Sequence, residues 1–367
     1  MQDNRKDLAD TRRLFDGDRL RLARELRGYT QAYVGRQAGI SGAAVSQFEQ
    51  GHARPTTDTL PHLARALGFP IRFFAKDLVE TEGGSPAFFR SLRATSATAR
   101  RQARAFAELV RQFTLALEKR VDLPDHEIPE LTIRTAEDRQ RVEATAGKVR
   151  EQWNIREFDP VENMVASLER HGAITVRVTF DIEGMDAFSV PYRDRPVVIL
   201  VADKSKKDRS RFDAAHELGH LVMHRSADAT TKQMEKQAHQ FAAAFLMPAE
   251  AIYDELPSIA DWELLLVLKK KWATSMGSLL YRARTLGKMK EEVYVRATRA
   301  MSSRGWRVHE PGDLGAPESP AVLRRAFDLV REEGLSTEDL ALEAGLPEDQ
   351  VRRILDAAAP TRQSVRI

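Results

Sequence analysis

The chain has 367 residues, of which 42% are hydrophobic and 30% are charged, and it contains no cysteine. This balance is typical of a folded globular protein and argues against a disordered or membrane-embedded one. Because it lacks a run of about 18 apolar residues and its start is highly charged, we expect a cytoplasmic protein that contacts no membrane. The lack of cysteine excludes disulfides, thiolate ligands and a cysteine nucleophile, so any metal must be held by histidine and carboxylate groups.

The charge is unevenly distributed along the chain. Residues 1–120 carry 21 Lys+Arg and 13 Asp+Glu, a net charge of +8, whereas the whole chain carries +3. A basic front third on a mildly acidic remainder indicates that one end of the chain meets a polyanion.

Hydrophobic periodicity and turn-rich segments divide the chain into regions. Helical spacing prevails, with helices expected at 139–152, 160–171 and within 212–286, and with β-type runs at Ile174–Phe180 and Pro196–Ala202. This pattern predicts a mainly α multidomain protein with an all-α head, an α+β, zincin-like body with a small sheet, and a helical tail. The predicted regions are an N-terminal extension (1–17), a head (18–77), a linker and connecting helix (78–138), a body (139–310), a second linker (309–320) and a tail (321–359).

The head contains the spacing of a helix-turn-helix. Thr30 can cap a helix that begins at Gln31, and Gly39 permits the turn that follows. Ser41 can cap a second helix, from Gly42 to Gln50. The residues expected on the groove-facing side of this second helix are Ser41, Gly42, Ala43, Ala44, Ser46 and Gln47.

The segment TQAYVGRQAGISGAAVSQFEQGHARPTTDTLPHLARALG resembles the Xre/Cro/C1 family of phage-repressor-type DNA-binding domains. The resemblance implies that the second helix reads the major groove of a double-stranded DNA operator, that Gln31 holds a phosphate, and that Arg54 belongs to the DNA-binding surface. Ala43 and Ala44 offer little hydrogen bonding, so we expect few direct base contacts. The alternative is a helical interaction module that no longer binds DNA.

Residues 216–220 read HELGH, an H-E-x-x-H motif. On a helix, His216 and His220 lie one turn apart on the same face, so both imidazoles can reach one ion. Glu217 then lies beside the ion, where it can accept a proton from water. We expect zinc, with another divalent metal as the alternative.

A catalytic zinc site needs a third protein ligand, and the next helix offers Glu235 and His239 one turn apart. In gluzincin-type peptidases, which this arrangement resembles, a glutamate from the following helix completes the site, which favours Glu235. His239 would then brace a ligand from behind or donate to the oxyanion, unless it is itself a ligand. His224 is either a donor to the oxyanion or a structural residue.

The wider segment, with RPVVILVADKSKKDRSRFDAAHELGHLVMH and EKQAHQFAAAFLMP, resembles the ImmA/IrrE family of metallo-endopeptidases over about residues 140–310. The resemblance implies Glu217 as catalytic base and His216, His220 and Glu235 as metal ligands. The chain departs from the family pattern at His239, where Asn is commoner, and at Gln237, where Glu is commoner.

Other segments carry weaker signals. An extended substrate is expected to pair with an edge strand, for which Pro196–Ala202 is the candidate. Lys269-Lys270-Lys271 is interpreted as a solvated helix face, and the tail, which repeats a helix-turn-helix rhythm, is acidic enough to favour protein contact over DNA.

These patterns favour a DNA-binding transcriptional regulator with a zinc-dependent endopeptidase domain. Its substrate would be the chain itself, cut in the linker at 78–86, or a partner repressor. The alternatives are a regulator whose metal domain is a non-proteolytic ligand or partner sensor, and an antitoxin-like repressor. We expect a homodimer, because a single helix-turn-helix reads too few base pairs for useful specificity.

Overall fold

The computed structural model describes residues 8, 10–75, 96–131, 139–178, 187–201, 206–225 and 232–359. These residues form mostly α-helices together with one three-stranded sheet. The predicted fold class, a mainly α chain with a small sheet in its body, is confirmed. None of the helices in these ranges is both long and apolar enough to cross a membrane.

The head folds around the predicted helix-turn-helix. Oγ1 of Thr30 accepts a hydrogen bond from the backbone N–H of Tyr33 at 3.2 Å, and Oγ of Ser41 accepts one from Ala44 at 3.1 Å. Gly39 connects the two helices with a φ of 71°, a conformation that favours glycine. The elements of the head are α1 (Gly17–Leu26), α2 (Gln31–Ala38), α3 (Gly42–Glu49), α4 (Thr59–Leu67) and a 3₁₀ turn (Ile71–Phe74).

Helix α5 (Ala97–Glu118) joins the head to the rest of the molecule. The side-chain amide of Gln102 donates to the carbonyl of Leu26 at 3.3 Å, and Arg19 donates to Gln112 at 3.3 Å. The head and α5 also share one hydrophobic core, so the head is packed against its neighbour rather than tethered to it. The apolar stripe of α5 is buried at Phe106, Leu109, Val110, Phe113 and Leu117, whereas the linker at 78–86 lies outside the described residues.

The body combines helices with a sheet in the order β1-β3-β2. The central strand pairs in parallel with one neighbour, where Ile199 is opposite Val176, and antiparallel with the other, where Ile199 is opposite Phe188. The expectation that Pro196–Ala202 forms an edge strand is therefore wrong, because this segment is paired on both sides. The elements of the body are α6 (Arg139–Gln152), α7 (Met164–Arg170), β1 (Ile174–Val178), β2 (Ala187–Val190), β3 (Val197–Val201), α8 (Lys207–Met223), α9 (Lys232–Leu246), α10 (Ala249–Ile252), α11 (Trp262–Trp272), α12 (Met276–Thr285) and α13 (Glu291–Ser303).

The sheet separates two hydrophobic cores. Alternate residues of a strand point to opposite faces. Phe188 and Ile199 therefore join the core shared with the head, α5 and the tail, while Val198 and Leu200 join the core built with α8 and α9. The same alternation places Ser189 on the face that α8 covers.

The tail consists of α14 (Val322–Glu332), α15 (Thr337–Ala344) and α16 (Glu348–Ala357). Its last helix is in the position of a recognition helix, but Gln350, Val351 and Ile354 on that helix are buried. The guanidinium of Arg353 lies 5.3 Å from the ring centre of Phe106 on α5. The tail therefore packs against α5, and its preference for protein over DNA stays a prediction.

Residues 304–321, called the strap below, cross the body between α13 and α14. The carboxylate of Glu310 accepts hydrogen bonds from the first two backbone N–H groups of α12 at 2.8 and 3.1 Å. Glu318 does the same for α7, also at 2.8 and 3.1 Å, and is 7% exposed. The interpretation of residues 309–320 as a linker is therefore wrong, because two carboxylates at helix N-termini fix this segment to the body.

A third carboxylate of this kind predicts a pH dependence of stability. Glu169 is 3% exposed and accepts hydrogen bonds from the N–H groups of Ala321 and Val322. Burial raises the pKa of Glu169 from 4.5 to about 7, although these two hydrogen bonds lower it. Because the folded chain then holds this proton more tightly than the unfolded chain, its stability falls as the pH rises from 4.5 to about 7.

Replacing this residue by glutamine removes the titration. We expect the free energy of unfolding of the wild type, measured relative to that of Glu169→Gln, to fall by on the order of 3 kcal/mol across this pH window. Urea unfolding of both proteins at several pH values measures the difference. A difference that stays constant with pH would contradict this expectation.

Candidate metal centre

Helices α8 and α9 approach closely at Gly219, the fourth residue of the HELGH motif. A Cβ atom on this residue would lie 3.1 Å from Cδ1 of Phe241 and 3.2 Å from Cα of Ala238. Both distances are shorter than the roughly 3.5–4.0 Å at which carbon atoms pack best. Glycine therefore lets α9 lie against α8, which brings Glu235, near the start of α9, to the histidine pair.

The predicted ligands His216, His220 and Glu235 come together at this contact. The Nε2 atoms of the two histidines are 3.1 Å apart. Oε2 of Glu235 is 3.3 Å from Nε2 of His216, and its Oε1 is 3.4 Å from Nε2 of His220. Within the described ranges, these three residues form the group whose histidine and carboxylate donor atoms all lie within 4.8 Å of one another.

This donor set fits a divalent ion. A tetrahedral zinc ion with ligands at about 2.0–2.1 Å needs donor atoms roughly 3.4 Å apart. The observed separations are 3.1, 3.3 and 3.4 Å. Two imidazoles and one carboxylate also make up a familiar catalytic zinc site, which keeps its fourth position open. The assignment of the three residues as ligands stays a prediction.

The electrostatics favour the metal-binding protonation states at His220 and Glu235, whereas nearby carboxylates raise the pKa of His216 against the effect of its burial. Burial lowers the pKa of His220 to about 3, although the neighbouring Glu235 carboxylate raises it. For Glu235 itself, burial acts to raise the pKa, but the neighbouring His216 and His220 hold it well below its ordinary value. A neutral imidazole and an ionised carboxylate are the forms that coordinate a cation.

Glu217, the predicted base, is 3% exposed and lies beside the donor group. Oγ of Ser189 donates a hydrogen bond to its Oε2 at 2.7 Å. Burial raises the pKa of Glu217 to about 7, although the charge of His216 and the bond from Ser189 lower it. A pKa near neutrality suits a group that takes and returns a proton.

Ser189 was not among the predicted site residues, and strand β2 was not predicted either. The available signal was one hydroxyl within the otherwise apolar run AFSV at 187–190. A polar residue in a strand buried on both faces needs a hydrogen-bond partner. The sequence alone does not say which partner it finds.

His224 is positioned behind the metal centre rather than in front of it. Its side chain is 3% exposed, and its Nδ1 lies 3.1 Å from Nδ1 of His220. Its Nε2 lies 3.0 Å from Oε1 of Gln237. Because both ring nitrogens are occupied inside the protein, the interpretation of His224 as an oxyanion donor is wrong.

His239 faces a cleft instead of the donor group. Its ring centre lies 4.7 Å from that of Phe212 and 5.2 Å from that of Tyr281. In the described chain it is not part of the cluster of donor atoms, so the alternative that His239 is itself a ligand is not supported. Its roles as a brace behind a metal ligand or as a donor to the oxyanion stay predictions.

A cleft of about 680 Å³ opens over Glu217 and the donor group. This volume lies within the range of ligand-binding pockets. Ala187 of β2 lines the cleft, and β2 has a paired neighbour on one side within the described sheet, so β2 replaces β3 as the candidate strand for pairing with an extended substrate. The other walls include Phe212, Asp213, Ser275, Ser278 and strap residues 307–310.

Lys269 lies beside this cleft, and its burial contradicts the interpretation of Lys269-Lys270-Lys271 as a solvated helix face. It is 3% exposed, and its Nζ lies 3.0 Å from Oδ2 of Asp208 and 2.9 Å from Oε2 of Glu310. A buried ammonium needs such partners, and this one ties the strap to α8 and α11. Lys270 and Lys271 are exposed, as expected.

The predicted DNA-binding surface lies on the head. Arg54 is exposed and donates to the backbone oxygen of Arg13 at 2.7 Å. Nε2 of Gln31 donates to Glu49 at 2.7 Å, and because an amide nitrogen carries two hydrogens, the second can still reach a phosphate. The contacts of these residues with DNA stay predictions. The predicted groove-facing residues are all exposed or partly exposed: Ser41, Gly42, Ala43, Ala44, Ser46 and Gln47.

Comparison with known proteins agrees with this division into a DNA-binding head and a metallopeptidase-like body. Residues 20–74 match the helix-turn-helix family model, and residues 168–284 match the peptidase M78 family model, described as the IrrE N-terminal-like domain. The chain thus combines a segment similar to helix-turn-helix domains with a segment similar to domains of the M78 peptidase family.

Two curated relatives match part of the chain. Two uncharacterized HTH-type transcriptional regulators, one from Sinorhizobium medicae and one from Rhizobium meliloti, are each 30% identical to the chain over 69 residues. The aligned part is 19% of this chain and 50% of each relative. The chain thus spans about half the length of the curated relatives it matches.

Proposed function

We propose that this protein is a sequence-specific transcriptional regulator whose body is a zinc-dependent endopeptidase. The observation that carries the proposal is the convergence of His216, His220 and Glu235, with donor atoms within 4.8 Å of one another, beside the buried Glu217. The cleft above these residues gives a peptide access to them. We also propose that the protein binds its operator as a homodimer, since paired half-sites suit a helix-turn-helix.

The residues of the cleft take complementary parts in peptide hydrolysis. A divalent ion held by the two histidines and Glu235 would polarise a peptide carbonyl and acidify water. Glu217 accepts the proton of the attacking water and returns it to the leaving amine. Ser189 keeps the Glu217 carboxylate in place by its hydrogen bond of 2.7 Å. Strand β2 holds the substrate in an extended conformation by backbone pairing.

The substrate we propose is a repressor, either this chain or a partner protein. Within the chain, the candidate cleavage segment is 78–86, which precedes α5. The contacts between α1 and α5, such as the bond from Gln102 to Leu26, do not depend on that segment. A cut there would therefore leave the head held by packing, and its release would need a further loss of these contacts.

Replacing Glu217 by glutamine tests the peptidase function. We expect cleavage to slow by about 100- to 10,000-fold, because the amide cannot accept the proton of the attacking water. Zinc affinity and operator affinity should remain, since the side chain keeps its size and is not a predicted ligand. Mass spectrometry of the zinc-loaded chain, alone and mixed with repressors or peptide libraries, measures cleavage.

The same experiment separates the peptidase from a non-proteolytic sensor. A wild-type chain that binds zinc and operator, but cuts neither itself nor any offered repressor or peptide, would contradict the peptidase function. Unchanged regulation by the Glu217→Gln protein in cells would contradict it as well.

Replacing Ser189 by alanine tests the support of the base. We expect kcat to fall about tenfold with little change in KM, because one hydrogen bond to a charged group is lost away from the substrate. Threonine at this position retains a hydroxyl and should preserve most of the activity. Steady-state kinetics on one cleavable peptide measures both constants, and an alanine protein with wild-type kcat would refute this role.

A further inference from the structure

A buried chain of hydrogen bonds runs behind His220. Oε1 of Gln237 lies 3.0 Å from Nε2 of His224, and Nδ1 of His224 lies 3.1 Å from Nδ1 of His220. The exposed fractions of these three side chains are 4%, 3% and 2%. The chain therefore ends at the ring nitrogen of His220 that faces away from the candidate metal centre.

The chemistry of the three groups sets the direction of these bonds. An amide oxygen only accepts, so Nε2 of His224 must carry the hydrogen that bridges it to Gln237. A neutral imidazole has one N–H, so Nδ1 of His224 is an acceptor. The neighbouring Nδ1 of His220 must then donate. The lone pair of His220 is then on Nε2, the atom facing His216 and Glu235.

We propose that His224 and Gln237 are positioning residues that fix His220 in the tautomer able to bind a metal. The proposal rests on the proposed function, because it takes the donor group to be a metal site. A metal-binding histidine commonly donates its second N–H to a partner that sets its orientation and tautomer. Here that partner is a second histidine, whose own tautomer is set by an amide.

The same two helices supply both the donor group and its support. His224 lies one turn after His220 at the end of α8, and Gln237 lies two residues after Glu235 on α9. The close packing of α8 on α9 therefore determines both sets of contacts.

The orientation of the Gln237 amide decides which tautomer is selected. If the amide were turned the other way, its nitrogen would donate to His224, and Nε2 of His220, the predicted ligand atom, would then carry a hydrogen. A carboxylate at position 237 cannot do this, because it only accepts.

This difference gives a test by substitution. We expect Gln237→Met, which has no strong acceptor, to weaken zinc binding by about 10- to 100-fold. Gln237→Glu keeps the acceptor and should bind zinc within about threefold of the wild type. Gln240→Met, the same change at a partly exposed position of α9, is the control and should bind like the wild type. Competition with a chromophoric chelator, using the full-length chain, measures the affinities.

The tautomers themselves give a second readout that a merely structural role would not change. Long-range ¹H–¹⁵N correlations of histidine-labelled protein should show His224 protonated at Nε2 and His220 at Nδ1, both before and after zinc is added. Gln237→Met should lose the Nε2–H form of His224, and Gln237→Glu should keep it. Circular dichroism and operator binding verify that each variant is folded.

The outcomes distinguish this inference from the proposed function. A wild-type chain that binds no zinc contradicts the metallopeptidase, whereas the tautomer of His224 still supports or overturns the hydrogen-bond chain. Wild-type zinc affinity in Gln237→Met, or His224 protonated at Nδ1, would overturn the role of Gln237 and His224.

Discussion

Replacing Glu235 by alanine is expected to weaken zinc binding by roughly 100-fold or more, because a zinc site of about 10–16 kcal/mol loses one of its few protein ligands. The carboxylate is the group that joins α9 to the histidine pair, with distances of 3.3 and 3.4 Å to His216 and His220. Without it, two neutral imidazoles of one helix remain, and neither carries the negative charge that offsets a divalent cation. Isothermal titration with zinc measures the loss.

The matched control is Glu263→Ala, which removes an exposed glutamate from α11. It should bind zinc like the wild type. Zinc should also raise the thermal stability of the wild type and of the control, because a ligand that binds only the folded state stabilises it. It should leave Glu235→Ala almost unchanged. Equal zinc affinity in Glu235→Ala and the wild type would remove this residue from the ligand set.

Replacing Arg24 by methionine is expected to destabilise the head by about 3–5 kcal/mol, because it leaves a buried carboxylate without its cation. Nε and Nη2 of Arg24 lie 2.5 and 2.9 Å from the two oxygens of Glu49, and its Nη1 donates to the carbonyl of Tyr29 at 3.0 Å. Glu49 is 5% exposed and also holds the amide of Gln31. The loss should therefore reduce operator binding together with stability.

The double variant Arg24→Met/Glu49→Gln tests the reason for this loss. It removes the unpaired charge, so it should recover most of the stability lost by the single change. Urea unfolding measures the stability, and a gel-shift assay with the operator measures DNA binding. The zinc affinity of the body should be unaffected in both variants. A single variant as stable as the wild type would show that the ion pair does not hold the head together.

Local geometry explains why the core of each site was predictable. A helix repeats every 3.6 residues, so the spacing of His216 and His220 places both imidazoles on one face wherever that helix packs. In the same way, Thr30, Gly39 and Ser41 act on backbone groups within a few residues of themselves, and their cap and turn roles are found in the structure. These features require no knowledge of distant contacts.

The partners across the fold could not be predicted by the same reasoning. The choice between Glu235 and His239 depends on how α9 lies against α8, and only the packing at Gly219 shows it. The position of β3 between two other strands, the burial of Lys269 and the fixed strap each depend on residues far away in the chain. Periodicity says that a face is buried, but not what covers it.

The sequence by itself therefore determined the two motifs, the helices that carry them and the residue types available to hold a metal without cysteine. The tertiary structure decided that Glu235 rather than His239 faces the histidine pair, which hydroxyl supports Glu217, and that His224 turns its ring toward His220. The physical reason is range: backbone geometry fixes neighbours one turn apart, whereas contacts between elements follow from the packing of the whole domain.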